Sequence, residues 1–161
     1  MKTTININGK DVEIELTKEQ IATIKKQAVN PMDYKSYEEI CAAGGIDPVK
    51  SLPFSKPVSK KQVSCNGVFK LLTIFDAFNF REEFKTPAEA AWDPDYSNSN
   101  QEKWYPWHSW SSVGAFVFDC TLFTDTFTTL GSRLCTNTQP KAKYISTQFN
   151  AEWNEFLNPK I

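Results

Sequence analysis

Apolar residues alternate with polar ones at Ile5, Ile7, Val12 and Ile14, on either side of Asn8-Gly9. Asn-Gly is the strongest short hairpin signal, because a type I′ turn needs positive φ at both central positions. A two-residue loop there pairs Thr3 with Ile14, Ile5 with Val12 and Ile7 with Lys10. That register gathers the four apolar residues on one face and Thr4, Asn6, Asp11 and Glu13 on the other, so turn and alternation agree. Thr17 and Gln20 then form a capping box. Ile21, Ile24 and Ala28 recur at helical spacing, which predicts a helix near 18–28, ended by Asn30-Pro31.

A second capping box, Ser36 with Glu39, predicts a short helix over 37–43 that stops at Gly44-Gly45. Residues 46–61 hold Pro48, Pro53 and Pro57 and read as extended linker or loop. Val68, Leu71, Leu72, Phe75 and Phe78 then make a broad apolar stripe, which predicts a central, buried helix over 62–84. Thr86-Pro87-Ala88-Glu89 reads as another helix start, with proline at its first position. Val113 to Phe123 is apolar on both faces and predicts a central strand covered on both sides. A shorter strand is expected over Ser132–Cys135. Thr138 and Pro140 open a C-terminal helix over 139–157, whose stripe of Ala142, Ile145, Phe149, Trp153 and Phe156 should pack over the sheet. The fold class is therefore α+β: an N-terminal ββα unit, then helices and a small antiparallel sheet covered by the 62–84 and 139–157 amphipathic helices. The chain divides into 1–30, 31–61 and 62–161.

The 161 residues suffice for one sizeable core. At 14% aromatic, the chain is too apolar for general disorder. The net charge of −1 gives no hint of nucleic acid or membrane as partner. The charges are nevertheless segregated. Val49 to Phe75 carries Lys50, Lys56, Lys60, Lys61 and Lys70 and no acid, whereas Arg81 to Glu102 is mostly acidic. The bland reading is two solvated loops; the sharper one is a basic side that meets phosphate or an acidic partner. The N-terminus has no apolar leader, and no apolar run approaches the ~18 residues of a membrane span, so a cytoplasmic protein is expected.

Cys41, Cys65, Cys120 and Cys135 form no CxxC pair, and there is one histidine, so no structural zinc site is expected. Each cysteine lies in an apolar pattern, where a small buried hydrophobe is the usual role. Asp93 to Trp104 has a faint EF-hand outline, but Asn98 stands where glycine is needed and Trp104 where glutamate is needed. No Walker loop, GxGxxG, HExxH or GxSxG motif occurs. We expect no cofactor, no metal and no catalytic residue.

What remains is Trp104-Tyr105-Pro106-Trp107-His108-Ser109-Trp110. As a strand, Trp104, Pro106, His108 and Trp110 face one way, and Tyr105, Trp107 and Ser109 the other. Pro106 donates no ladder hydrogen bond, which argues for an edge. One face can close a core while the other offers a stacking surface to a ligand or partner. With Arg133 as a companion cation, the candidate binding residues are Trp104, Tyr105, Trp107, His108, Trp110 and Arg133.

Several short blocks carry a resemblance. They are Ser36-Tyr37-Glu38-Glu39, Asn98-Ser99-Asn100-Gln101, Lys103 with Tyr105-Pro106-Trp107, Gly114 with Phe116, Ser132-Arg133-Leu134-Cys135, and Gln148-Phe149. Over roughly residues 36–157 the chain resembles a group of small uncharacterised phage and prophage proteins of Bacteroidetes-type gut bacteria. It departs after Cys135, where the group is basic and this chain reads Thr136-Asn137-Thr138 followed by Pro140. The resemblance implies a genomic setting and no reaction. The expectation is a phage-encoded, non-enzymatic interaction protein in the host cytoplasm, binding a host protein or small ligand in host takeover or counter-defence. Self-association through the hairpin edge is a variant of this reading. The alternatives are a virion structural component, and a small hydrolase or nuclease using His108.

Overall fold

The computed structural model describes residues 2–7, 10–20, 31–79, 92–124 and 133–161. Strands β1 (Lys2–Ile7) and β2 (Lys10–Glu15) form an antiparallel hairpin in the register that a two-residue connection dictates, with Ile5 opposite Val12 and Ile7 opposite Lys10. Asn8-Gly9 itself lies outside the described residues. The capping box is present in both directions: the Gln20 amide donates to Thr17 Oγ1, and the Thr17 amide donates to Gln20 Oε1. Residues 18–20 are helical, and the rest of the helix expected over 18–28 lies outside the described residues.

Helix α1 (Tyr37–Ala43) has the predicted bounds. Ser36 caps it by accepting from the Glu39 amide, and the Glu39 carboxylate reaches back to the Lys35 amide. Gly45 takes the left-handed φ of 66° that ends such a helix cheaply. Helix α2 (Lys60–Asn79) supplies the centre of the core, where Leu71, Ile74, Phe75 and Phe78 are fully buried. Residues 46–59, which the prolines marked as linker or loop, are tied down. The Asn66 side chain accepts from the Phe54 amide and donates to its carbonyl, and Ser51 bonds the Tyr37 hydroxyl. The helix start expected at Thr86-Pro87 and the end of the expected 62–84 helix lie outside the described residues.

The single C-terminal helix expected over 139–157 is two helices, α3 (Gln139–Gln148) and α4 (Asn150–Leu157), broken at Phe149. Phe149 leaves helical geometry at φ −104°, ψ 36° with no glycine or proline to explain it. Its side chain is buried, as are those of Ala142, Ile145 and Trp153. The predicted apolar stripe therefore survives the break.

Strands β3 (Lys103–Trp110) and β4 (Phe116–Thr124) pair antiparallel. They are joined by a turn in which Gly114 adopts φ 75°. Helices α3 and α4 lie on this sheet. Helix α2 packs against α4 instead, so the sheet is not covered by α2 as the sequence led us to expect. The cause is visible at Gly67: a Cβ there would sit 2.6 Å from the Phe156 amide nitrogen. The α2 and α4 backbones touch, and α4 occupies the space between α2 and the sheet.

Two further expectations are corrected. The apolar run 113–123 is not a central strand: among the described residues β4 pairs only with β3, and Cys120, Leu122 and Phe123 are exposed. Of the strand expected over 132–135, residue 132 lies outside the described residues. Arg133–Cys135 are irregular and lead to one bridge, Thr136 to Trp104. The α+β class stands, as do the two-stranded N-terminal hairpin and the antiparallel sheet.

Candidate interaction surface

Strand β3 carries five of the six candidate residues and presents them on two faces. Its outer edge bonds only Thr136 among the described residues, through the amide and carbonyl of Trp104. Pro106, two residues on, points its missing N–H to that same outer side. The proline therefore costs β3 no bond to β4, as an edge position allows.

The first face, that of Trp104, Pro106, His108 and Trp110, turns to the helices. The His108 ring lies 4.4 Å from that of Trp153 on α4, and its Nε2 is 2.7 Å from Ser146 Oγ on α3. Gln139 donates to Thr121, which stands opposite Pro106. Asn154 stands in for a missing strand, accepting from the Phe116 amide and donating to its carbonyl. Ring pairs mark the two ends, Trp104 with Phe123 and Trp110 with Phe116. Phe123 and Trp110 project past the helices, 60% and 59% exposed.

The second face, that of Lys103, Tyr105, Trp107 and Ser109, is half closed. The polar run before β3 folds back over its start. Lys103 is fully buried and donates its ammonium protons to the carbonyls of Gln101 (2.7 Å) and Asn98 (3.3 Å). It also sits over the Tyr96 ring. Tyr105 is buried, its hydroxyl bonded to that of Tyr96. Tyr96 also reaches the Cys135 sulfur at 3.8 Å. Burial pushes up both the Cys135 thiol and the Tyr96 phenol. In the segment with the EF-hand outline, Asp95 accepts from the Ser97 hydroxyl and amide, which holds its carboxyl below the usual range. Lys103 supplies the positive charge there. Among the described residues no cluster of three or more His, Cys, Asp or Glu side chains could hold a metal ion.

Beyond Tyr105 this cover ends. Trp107 is 41% exposed, and its cross-strand neighbour Cys120 is exposed as well. Leu122, opposite Tyr105, is also exposed. A bulge sets which β4 residues share this face. Trp107 pairs with Cys120 and His108 with Phe118, so Asp119 is an extra residue in β4. Phe118 then faces His108 and the helices, while both Asp119 and Cys120 turn out. This also explains the cysteines. Cys41 and Cys135 are buried, as expected, and Cys65 is half-buried. The exposed Cys120 contradicts the expectation of a buried thiol.

His108 makes a Ser-His contact that cannot serve as a nucleophile. Burial pushes its pKa down to about 4, so the ring is neutral near pH 7 and a weak base there. Ser146 is fully buried, which leaves substrate no route to its Oγ. Ser109, Ser111 and Ser112, the serines beside His108 in sequence, are not the ones it bonds. Arg133 is exposed on the segment that leads to Thr136. Among the described residues, cations sit over aromatic rings at Lys35 with Tyr144, Lys70 with Tyr37 and Lys103 with Tyr96.

The structure thus separates the candidates. Trp107 lies on an open face, Trp110 at an open end, Tyr105 and His108 inside, and Trp104 between. Cys120, Leu122 and Phe123 belong to the surface and were missed, because an apolar run without visible alternation conceals a bulge. Among the described residues no helix is long and apolar enough to cross a membrane. No family model, curated protein or solved structure matches this chain.

Proposed function

We propose that this chain is a non-enzymatic interaction protein that grips a partner protein with the β3–β4 face of Trp107, Cys120 and Leu122. The observation that carries this reading is Trp107: a large aromatic ring on a rigid strand, 41% exposed, while the opposite face of the same strands is packed under two helices. Rigid, exposed tryptophans flanked by apolar side chains supply most of the energy of many protein interfaces. Neither of the two cavities that Val63 lines is also lined by Trp107, Cys120 or Leu122; a row of exposed side chains on a strand pair suits a protein partner, whereas small ligands prefer concave sites. The neutral, half-buried His108 and the fully buried Ser146 that it bonds weigh against the hydrolase or nuclease alternative. The resemblance supplies the setting of this proposal: a phage-encoded protein acting on a host protein in the host cytoplasm.

The test is retention from an extract of Bacteroidetes-type gut bacteria on immobilised chain, compared with a Trp107→Ser, Leu122→Ser double variant. Both positions are exposed, so the variant should melt at the same temperature. A partner held stoichiometrically by the natural chain and lost by the variant is the expected result. Equal retention by both, or none by either, sinks the reading. Finding the chain at fixed copy number in purified phage particles would favour the virion alternative.

A further inference from the structure

We propose that the region around Val63 is a docking site for an anionic lipid bilayer surface, distinct from the Trp107 face and independent of its role. Three distant segments meet there. Val63 of α2 lines one cavity of about 310 Å³ with Ala115 of the β3–β4 turn and with Asn158 and Lys160 after α4. It also lines a second cavity, of about 230 Å³, with Pro57 of the loop before α2. Asn158 ties the C-terminal segment to the turn by donating to the Gly114 carbonyl.

The charges of these three segments are one-sided. Residues 48–75 hold five lysines and no acid, although Lys50 pairs with Asp47 at 3.5 Å just before them; residues 104–118 hold no Asp, Glu, Lys or Arg, and residues 156–161 contribute Lys160. Lys56, Lys60, Lys61 and Lys160 are all exposed. Glu155, the one acid lining the cavities, is held by Lys70 at 2.8 Å. The net charge of −1 conceals this, because the acids balancing the lysines lie elsewhere in the chain.

Sequence neighbours of the residues that line the cavities expose apolar side chains. Val113, at the tip of the β3–β4 turn, is 81% exposed, Val58 is 76% exposed, and Trp110 stands two residues before the turn's serines end. An uncharged tip with an aliphatic residue and a tryptophan suits the headgroup boundary of a bilayer, where indole rings concentrate. Flanking lysines are drawn to anionic headgroups, and the two effects add. A nucleic acid would also attract the lysines and could stack on Trp110, but the aliphatic Val58 and Val113 would gain nothing from it, since bases stack on aromatic rings. Lipid accounts for both halves of the surface.

The experiment is co-sedimentation of the full chain with vesicles of equal parts phosphatidylcholine and phosphatidylserine. Binding is expected to these vesicles, to weaken as salt is raised, and to be absent with phosphatidylcholine alone. Lys60→Gln with Lys61→Gln should weaken it roughly 25-fold, about fivefold for each lysine. Val113→Asp should remove it. All three positions are exposed, so thermal melts verify that the variants fold. No sedimentation of the natural chain, equal sedimentation with phosphatidylcholine alone, or indifference to these substitutions overturns the proposal. So does lysine-dependent binding to a DNA oligonucleotide by a chain that leaves vesicles unbound.

Discussion

The partial burial of His108 makes a quantitative prediction about acid stability. Buried under Trp153, His108 has its pKa depressed from 6.5 to about 4. In the unfolded chain the imidazole returns to its ordinary value near 6.5. Above that pH both states are neutral and the histidine leaves stability unchanged. Between pH 6.5 and 4 the unfolded chain takes up a proton that the folded chain refuses, so stability falls as pH falls. Below about pH 4 the folded chain also protonates and this loss stops growing. Over the 2.5 units between those values the full linkage would be about 3 kcal/mol, at ~1.36 kcal/mol per unit. The ring is only half-buried, and solvent screening reduces this to roughly 1–2 kcal/mol. Urea denaturation from pH 7.5 to 4 measures it, with His108→Asn as reference, because carboxylates elsewhere contribute equally to both proteins. The natural chain should lose roughly 1–2 kcal/mol more than the variant across that range. The His108 ring proton, followed by NMR, should titrate near 4. Parallel pH profiles for the two proteins, or a ring titrating near 6.5, would refute the argument that burial governs this residue. The latter would also revive His108 as a general base.

Two further perturbations probe how the scaffold holds the surface. Gly67→Ala should destabilise the chain by about 1–3 kcal/mol in urea denaturation, because the new Cβ meets the α4 backbone and overpacks the crossing. Gain in helix propensity, about 1 kcal/mol, opposes this, so a variant more stable than the natural chain would show that α2 and α4 are not in backbone contact. Lys103→Met should cost roughly 1.5–3 kcal/mol, the range for hydrogen bonds to a charged group. It should also speed hydrogen exchange at the Asn98 and Gln101 amides, because the loop folds around the ammonium. Unchanged exchange there would mean that the loop is held by its own turns.

Local chemistry was legible wherever a signal is complete within a few residues. Ser36 with Glu39 and Gly44-Gly45 bound α1 at both ends, because caps and left-handed stops depend on neighbours alone. The hairpin register followed from Asn8-Gly9 because a two-residue loop leaves one pairing. The stripe from Ala142 to Trp153 named the buried side chains correctly and concealed the break at Phe149. Hydrophobic period reports which residues are inside, not whether the axis is straight.

The open face was legible only in part, for a physical reason. Alternation on β3 correctly divided Trp104, Pro106, His108 and Trp110 from Tyr105 and Trp107. It could not say which side the helices take, because both sides are equally apolar. That choice rests on long-range partners: Ser146 and Trp153 for His108, and Tyr96 for Tyr105. The polar stretch Asn98 to Gln101 read as a solvated loop, yet its carbonyls accept hydrogen bonds from a lysine with no accessible surface. Asp119 then decides what remains exposed. One extra residue in β4 breaks the alternation between Phe118 and Cys120, and its apolar run, read without the bulge, implies cover on both sides. Read with the bulge, the run describes a strand with Phe116 and Phe118 under the helices and Cys120 and Leu122 turned away from them. Trp107 is thus open because α3 and α4 take the opposite face of β3, and the bulge sets Cys120 beside it.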